Sequence, residues 1–134
     1  MTKLTDNNVK TAAAQYKPKT SAVPPIAIMA LGEAMQTGAD KYGIFNWRET
    51  TVSATVFYDA MMRHLQAWYS GEDFAEDTRV HHLAHVMAGA AIVIDSIHNE
   101  TFNDDRGPGQ AVNEHARSVY KEPPEELAPI RRRR

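Results

Sequence analysis

Three stretches within fifty residues bring together histidines, carboxylates, two tryptophans and an Arg-Lys pair, groups able to do chemistry: GADKYGIFNWRE over residues 38–49, DAMMRHLQAWYSGEDFAED over 59–77 and HHLAHV over 81–86. Aromatic faces stack on bases, an Asn side chain can hydrogen-bond a base edge, and Lys or Arg can meet phosphate. In the first stretch Tyr42 and Trp47 supply the faces, Asn46 the amide, and Lys41 and Arg48 the cations. The combination suits a charged aromatic ligand, and a nucleotide is the candidate it favours. A plug of rings closing one end of a helical bundle would explain Tyr42, Phe45 and Trp47 as well, but it requires neither Asn46 nor Arg48.

The second stretch crowds Glu72, Asp73, Glu76 and Asp77 together. Like charges this dense repel, so a cation nearby would stabilise them. Magnesium takes such hard oxygen ligands and shares them with substrate phosphates. Glu33, Glu72, Asp73 and Asp77 are therefore the candidate ligands for magnesium or manganese. The alternative is a solubilising turn whose acids lie ahead of a helix, where the macrodipole favours them.

The histidines are the remaining candidates. His64 adjoins Asp59 and Arg63, an acid-first pair four residues apart, worth about 0.2 to 0.5 kcal/mol on a helix. His82 and His85 share a helical face with Gly89, where the missing side chain admits a backbone or a ligand. His81 and His85 are four apart, a spacing with which two imidazoles grip one metal. Each histidine taken alone reads as a satisfied core residue. Their concentration points to orienting phosphate or moving a proton, with Asp59, His64, His82 and His85 as the catalytic set and Arg63 beside the cations that hold phosphate.

Three helices are expected to position these groups. The first begins at Pro24-Pro25, since proline suits a first turn, and runs to about Asp40, with Ile26, Met29, Ala30 and Glu33 on one face. The second starts near Ser53 as N-cap and stops at Ser70-Gly71, with Phe57, Ala60, Met61, Leu65 and Trp68 as its apolar face. The third covers about Asp77 to His98, capped by Asp77 or Thr78, with Leu83, Met87, Ala90, Ile94 and Ile97 inward. Residues 21–102 then form one all-α domain, a small antiparallel bundle completed by oligomerisation into a dimer or tetramer, because so short an ordered stretch buries little alone.

The ends differ in kind. Residues 1–20 are polar and aperiodic, and residues 103–134 are rich in Pro, Gly and charge, so a flexible arm and a disordered tail are expected. Arg131–Arg134 reads as a solvated run. A net charge of −2 from 15 basic and 17 acidic residues argues against nucleic acid as the main partner. Zero cysteines exclude disulfides and thiolate metal sites. The N-terminus lacks the apolar core of a signal peptide, and no stretch approaches a membrane span of about 20 residues. A cytoplasmic protein is expected.

The order KPKTSAVPP, GADKYGIFNWRE, DAMMRHLQAW, GEDFAED, HHLAHV resembles the phage-associated family of dATP/dGTP diphosphohydrolase N-terminal domains, from about Lys17 to Ile97. That family is grouped loosely with the MazG and HisE type nucleotide pyrophosphohydrolases. The resemblance implies an all-α fold, a deoxynucleoside triphosphate ligand, magnesium, and a bacteriophage or prophage setting in the host cytoplasm. MazG-type enzymes carry E-E-x-x-E in one helix and E-x-x-D in the next, and neither run occurs here. The expected reaction is hydrolysis of dGTP or dATP to the monophosphate and pyrophosphate. The alternative is a nucleotide-binding or nucleotide-sequestering protein without turnover, and a structural phage protein is a third reading.

Overall fold

A computed structural model of the chain describes residues 7–107 and 109–121. Its helices are α1 (Val9–Ala14), α2 (Pro25–Tyr42), α3 (Ala54–Tyr69), α4 (His82–His98) and α5 (Gln110–Val119), with two-residue strands β1 (Val52–Ser53) and β2 (Phe102–Asn103). The chain divides into two units, Met1–Asn103 and Asp104–Arg134. The all-α expectation holds.

In the first unit α4 is the central helix and packs on both α2 and α3. Small side chains make this possible: Ala34 of α2 and Ala84 and Ala88 of α4 are buried with Val80, and Ala30, Leu31, Met35 and Met87 pack around them. Val52 pairs with Phe102 and Ser53 with Asn103 in a parallel register. This ties the start of α3 to the end of α4, so the two helices run antiparallel. The pairing was not expected from sequence, because two residues carry no period.

The inward faces differ from those the sequence predicts. Ile26 and Met29 are exposed on α2, and Ile94 and Ile97 on α4. Glu33 is exposed as well. α4 is apolar around most of its circumference, so periodicity cannot choose a side. Close approach selects the alanines and leaves the larger residues outward.

Two boundaries also shift. α4 starts at His82, not Asp77, and its cap is His81, whose side chain accepts from Leu83 N–H at 3.1 Å. Residues 72–81 form a hairpin-like loop instead: Phe74 bridges His81, and Ala75 N–H donates to Val80 O at 2.9 Å. Asp77 turns its carboxylate onto Thr78 N–H at 2.9 Å. α3 does begin after Ser53 and end before Gly71, whose φ of 103° is the left-handed stop glycine provides. Ser53 makes no side-chain cap; its Oγ accepts from Asn103 Nδ2 at 3.2 Å.

The expected N-terminal arm contains α1, whose residues are all exposed. Its helix rests on three consecutive alanines and on Asn8, which accepts from Lys10 N–H at 2.8 Å. The second unit contains α5, likewise within a segment expected to lack structure. The Arg131–Arg134 run lies outside the described residues.

Candidate functional site

A cleft of about 470 Å³ opens among α2, α3, α4 and the two loops that join them. That size lies within the roughly 300 to 1,000 Å³ of small-molecule sites. Its apolar wall includes Met35, Phe57, Met61, Ala88 and Ile92, and its polar wall Lys41, Asn46, His64, Asp77, Thr78 and His85. Tyr42 and Trp47 also line it. The structure thus gathers four of the expected nucleotide-contacting residues with two of the expected catalytic histidines and one expected metal-ligand carboxylate.

The histidines form a connected array. His82 is buried at 5% exposure, and its Nε2 donates to Glu72 Oε1 at 2.6 Å. His82 Nδ1 lies 2.8 Å from His64 Nδ1. His64 in turn stacks on His85, with ring centroids 4.4 Å apart and planes 18° apart. His85 Nε2 is 2.8 Å from Thr78 Oγ1. Antiparallel packing explains the meeting, because it sets the last turns of α3 beside the first turn of α4.

Electrostatics disfavour charge on two of the rings. Burial is the main cause lowering the pKa of His64, and the neighbouring His85 and His82 lower it further. Burial likewise lowers that of His85. Asp77 is held below the usual carboxylate value, first by its bond from Thr78 N–H and also by Lys41 and His85. Lys41, Asp77, His64 and His85 therefore share one electrostatic neighbourhood, with imidazoles in the form that accepts protons.

Other expected site residues lie elsewhere. Asp59, Arg63 and Glu33 are exposed and off the cleft wall. Arg63 lies close enough to disfavour a charge on His64. Asp73 is exposed, and its backbone carbonyl accepts from His82 N–H at 2.8 Å. Arg48 does not line the cleft: its Nε and Nη2 donate to Asp95 at 2.9 and 3.1 Å, and its guanidinium sits 4.3 Å over the Phe45 ring. Trp47 is 8% exposed and donates its indole N–H to the same carboxylate at 2.6 Å. The loop is thus clasped to α4 by Asp95, a residue the sequence analysis missed because nothing distinguishes it from any helical surface acid. Thr78, by sequence a helix cap, instead holds His85. Gly89 does allow a close approach, but it is Met61 that takes the space: an added Cβ would lie 2.6 Å from Met61 Cγ.

The four expected metal ligands do not converge. Glu72 is bonded to His82, Glu33 and Asp73 are exposed and do not line the cleft, and of the four Asp77 alone lines it. Among the described residues no three His, Asp or Glu side chains form a group able to hold a metal ion. The residues therefore do not fit a preformed protein cage for magnesium.

No helix among the described residues is long and apolar enough to cross a membrane. No solved structure is significantly similar to this chain. A protein of Salmonella phage PMBT28 called dATP/dGTP diphosphohydrolase is 28% identical over 98 residues, which cover 73% of this chain and 33% of that relative. The chain spans about one third of the relative's length. Residues 7–106 match the family described as dATP/dGTP diphosphohydrolase, N-terminal. With three quarters of its length inside that match, the chain belongs to the dATP/dGTP diphosphohydrolase N-terminal family.

Proposed function

We propose that the cleft binds a deoxynucleoside triphosphate, dGTP or dATP, and hydrolyses it to the monophosphate and pyrophosphate. The observation that carries this reading is the meeting of Lys41, Tyr42, Asn46 and Trp47 with neutral His64 and His85 around one cavity. The base lies against Tyr42 and the part of Trp47 that lines the cleft, with Asn46 at its hydrogen-bonding edge. Lys41 neutralises phosphate charge as it develops. Water loses a proton to an imidazole nitrogen, its oxygen bonds to the α-phosphorus, and the bond to the bridging oxygen breaks with its electron pair on pyrophosphate. Magnesium would accompany the triphosphate as its counter-ion, and Asp77 is the carboxylate on the cleft wall that could approach it.

The test is to incubate the purified chain with each dNTP and NTP, with and without magnesium, and resolve the products by chromatography. Monophosphate and pyrophosphate in equal amounts from a purine deoxynucleotide are expected. Binding without product, read as a rise in melting temperature, would establish the second reading, a nucleotide-binding domain without turnover. That reading is favoured by the absence, among the described residues, of a group of acids and histidines able to hold a metal ion.

The setting we propose is the cytoplasm of a phage-infected host, as a dimer or tetramer. The oligomer is supported by Ile26, Ile28 and Met29 of α2 and by Ile94 and Ile97 of α4, all more than half exposed. Light scattering at micromolar concentration should give at least twice the chain mass, and a stable monomer would remove this element.

A further inference from the structure

We infer that Glu72 and His82 are positioning residues that fix His64 in one tautomer, with its Nε2 lone pair as the proton acceptor of the cleft; the catalytic part of this inference rests on the hydrolase reading above. The sequence marks Glu72 as a metal ligand. The structure instead spends it on a ring nitrogen, and the chemistry of the three groups leaves little freedom.

An ionised carboxylate only accepts hydrogen bonds. The proton in the 2.6 Å contact between Glu72 Oε1 and His82 Nε2 therefore sits on Nε2. In the neutral state of His82, which has one N–H and one lone pair, the lone pair is on Nδ1. His64 Nδ1 lies 2.8 Å away and must be the donor in that contact. By the same rule the lone pair of His64 is on Nε2. His82 is 5% exposed, so the protein and not bulk water sets its tautomer.

Two further contacts hold the ring plane. His64 stacks on His85 at 4.4 Å, and His85 is held by Thr78 at 2.8 Å. The logic is that of a carboxylate orienting an imidazole in a catalytic triad, extended by one ring. When a water O–H breaks and its proton reaches His64 Nε2, the positive charge can pass through the Nδ1 contact to His82. There it faces Glu72 directly. The carboxylate thus compensates a charge formed in a partly buried site, and the proton later leaves His64 for solvent, restoring the starting state.

The arrangement is tested on the full chain labelled with nitrogen-15, using long-range proton–nitrogen correlation of the imidazoles near neutral pH. His64 should show a protonated Nδ1 and a bare Nε2, and His82 the reverse. Glu72→Ala, at a side chain 57% exposed, should leave the fold intact, shift His64 toward the other tautomer, and lower kcat about 100-fold with little change in KM. Glu72→Gln, which keeps an acceptor, should hold the tautomers and recover part of kcat. A wild-type His64 protonated at Nε2, or tautomers indifferent to Glu72→Ala, would overturn the inference. Expected tautomers in a chain that turns over no nucleotide would uphold the arrangement and overturn the hydrolase reading, so the two failures are distinguishable.

Discussion

Around Asp95 a carboxylate is surrounded by donors, with Trp47 Nε1 at 2.6 Å, Arg48 Nε at 2.9 Å and Asn99 Nδ2 at 3.0 Å. Around His64, nearer the other end of α4, a carboxylate touches one buried ring, which touches a second ring that lines the cleft. Both clusters are built from an acid, nitrogen donors and aromatic faces. At Asp95 every charge is matched, and the pKa falls to about 2, chiefly through the bond from Arg48. At His64 burial disfavours charge and leaves a base facing a cavity. The first arrangement holds a loop in place, and the second keeps a proton acceptor ready, so residue type alone does not assign a role.

The difference can be broken from either side. His64→Gln should lower turnover by about 10² to 10⁴-fold, the usual range for a positioned acid or base, while changing the melting temperature little. A loss of stability with turnover intact would make the histidine array a second structural clasp. Trp47→Ala should cost about 3 to 5 kcal/mol of stability, as large-to-small changes at buried aromatics do, and so lose nucleotide binding through the fold. Trp47→Phe keeps a ring and loses only the N–H bond to Asp95, so denaturant titration should show a smaller loss. If Trp47→Ala weakened binding without moving the denaturation midpoint, the loop would belong to the ligand more than to the clasp.

The smallest effect is in the pH dependence of stability. Asp95 has a folded pKa below its ordinary value, so its contribution is present above about pH 4 and disappears as pH falls toward about 2. Asp95→Asn should lose melting temperature at neutral pH and show a shallower decline across that window. Asp104, held to about 2 beside Arg106, titrates in the same range but lies in the second unit. The difference between wild type and variant therefore isolates Asp95, and parallel pH profiles for the two proteins would refute the clasp.

Much was determined by the sequence itself. Proline, serine and glycine punctuation placed α2 and α3 within a few residues, because capping and φ constraints are local. Of the residues that the three blocks single out, Lys41, Tyr42, Asn46, Trp47, His64, Asp77 and His85 line the cleft, whereas Arg48, Asp59, Arg63, Glu72, Asp73 and His82 do not. What only the tertiary structure decided was which acid meets which base. Glu72 and His82 are ten residues apart, and Asp95 lies 47 from Arg48. Such pairings follow from the antiparallel docking of α3 on α4 and from the loop folding back on α4, and they leave no periodic trace. The face that α4 buries was equally hidden, since a helix apolar nearly all round chooses its side by the close approach that Ala84 and Ala88 permit, which depends on the neighbouring helix as much as on α4.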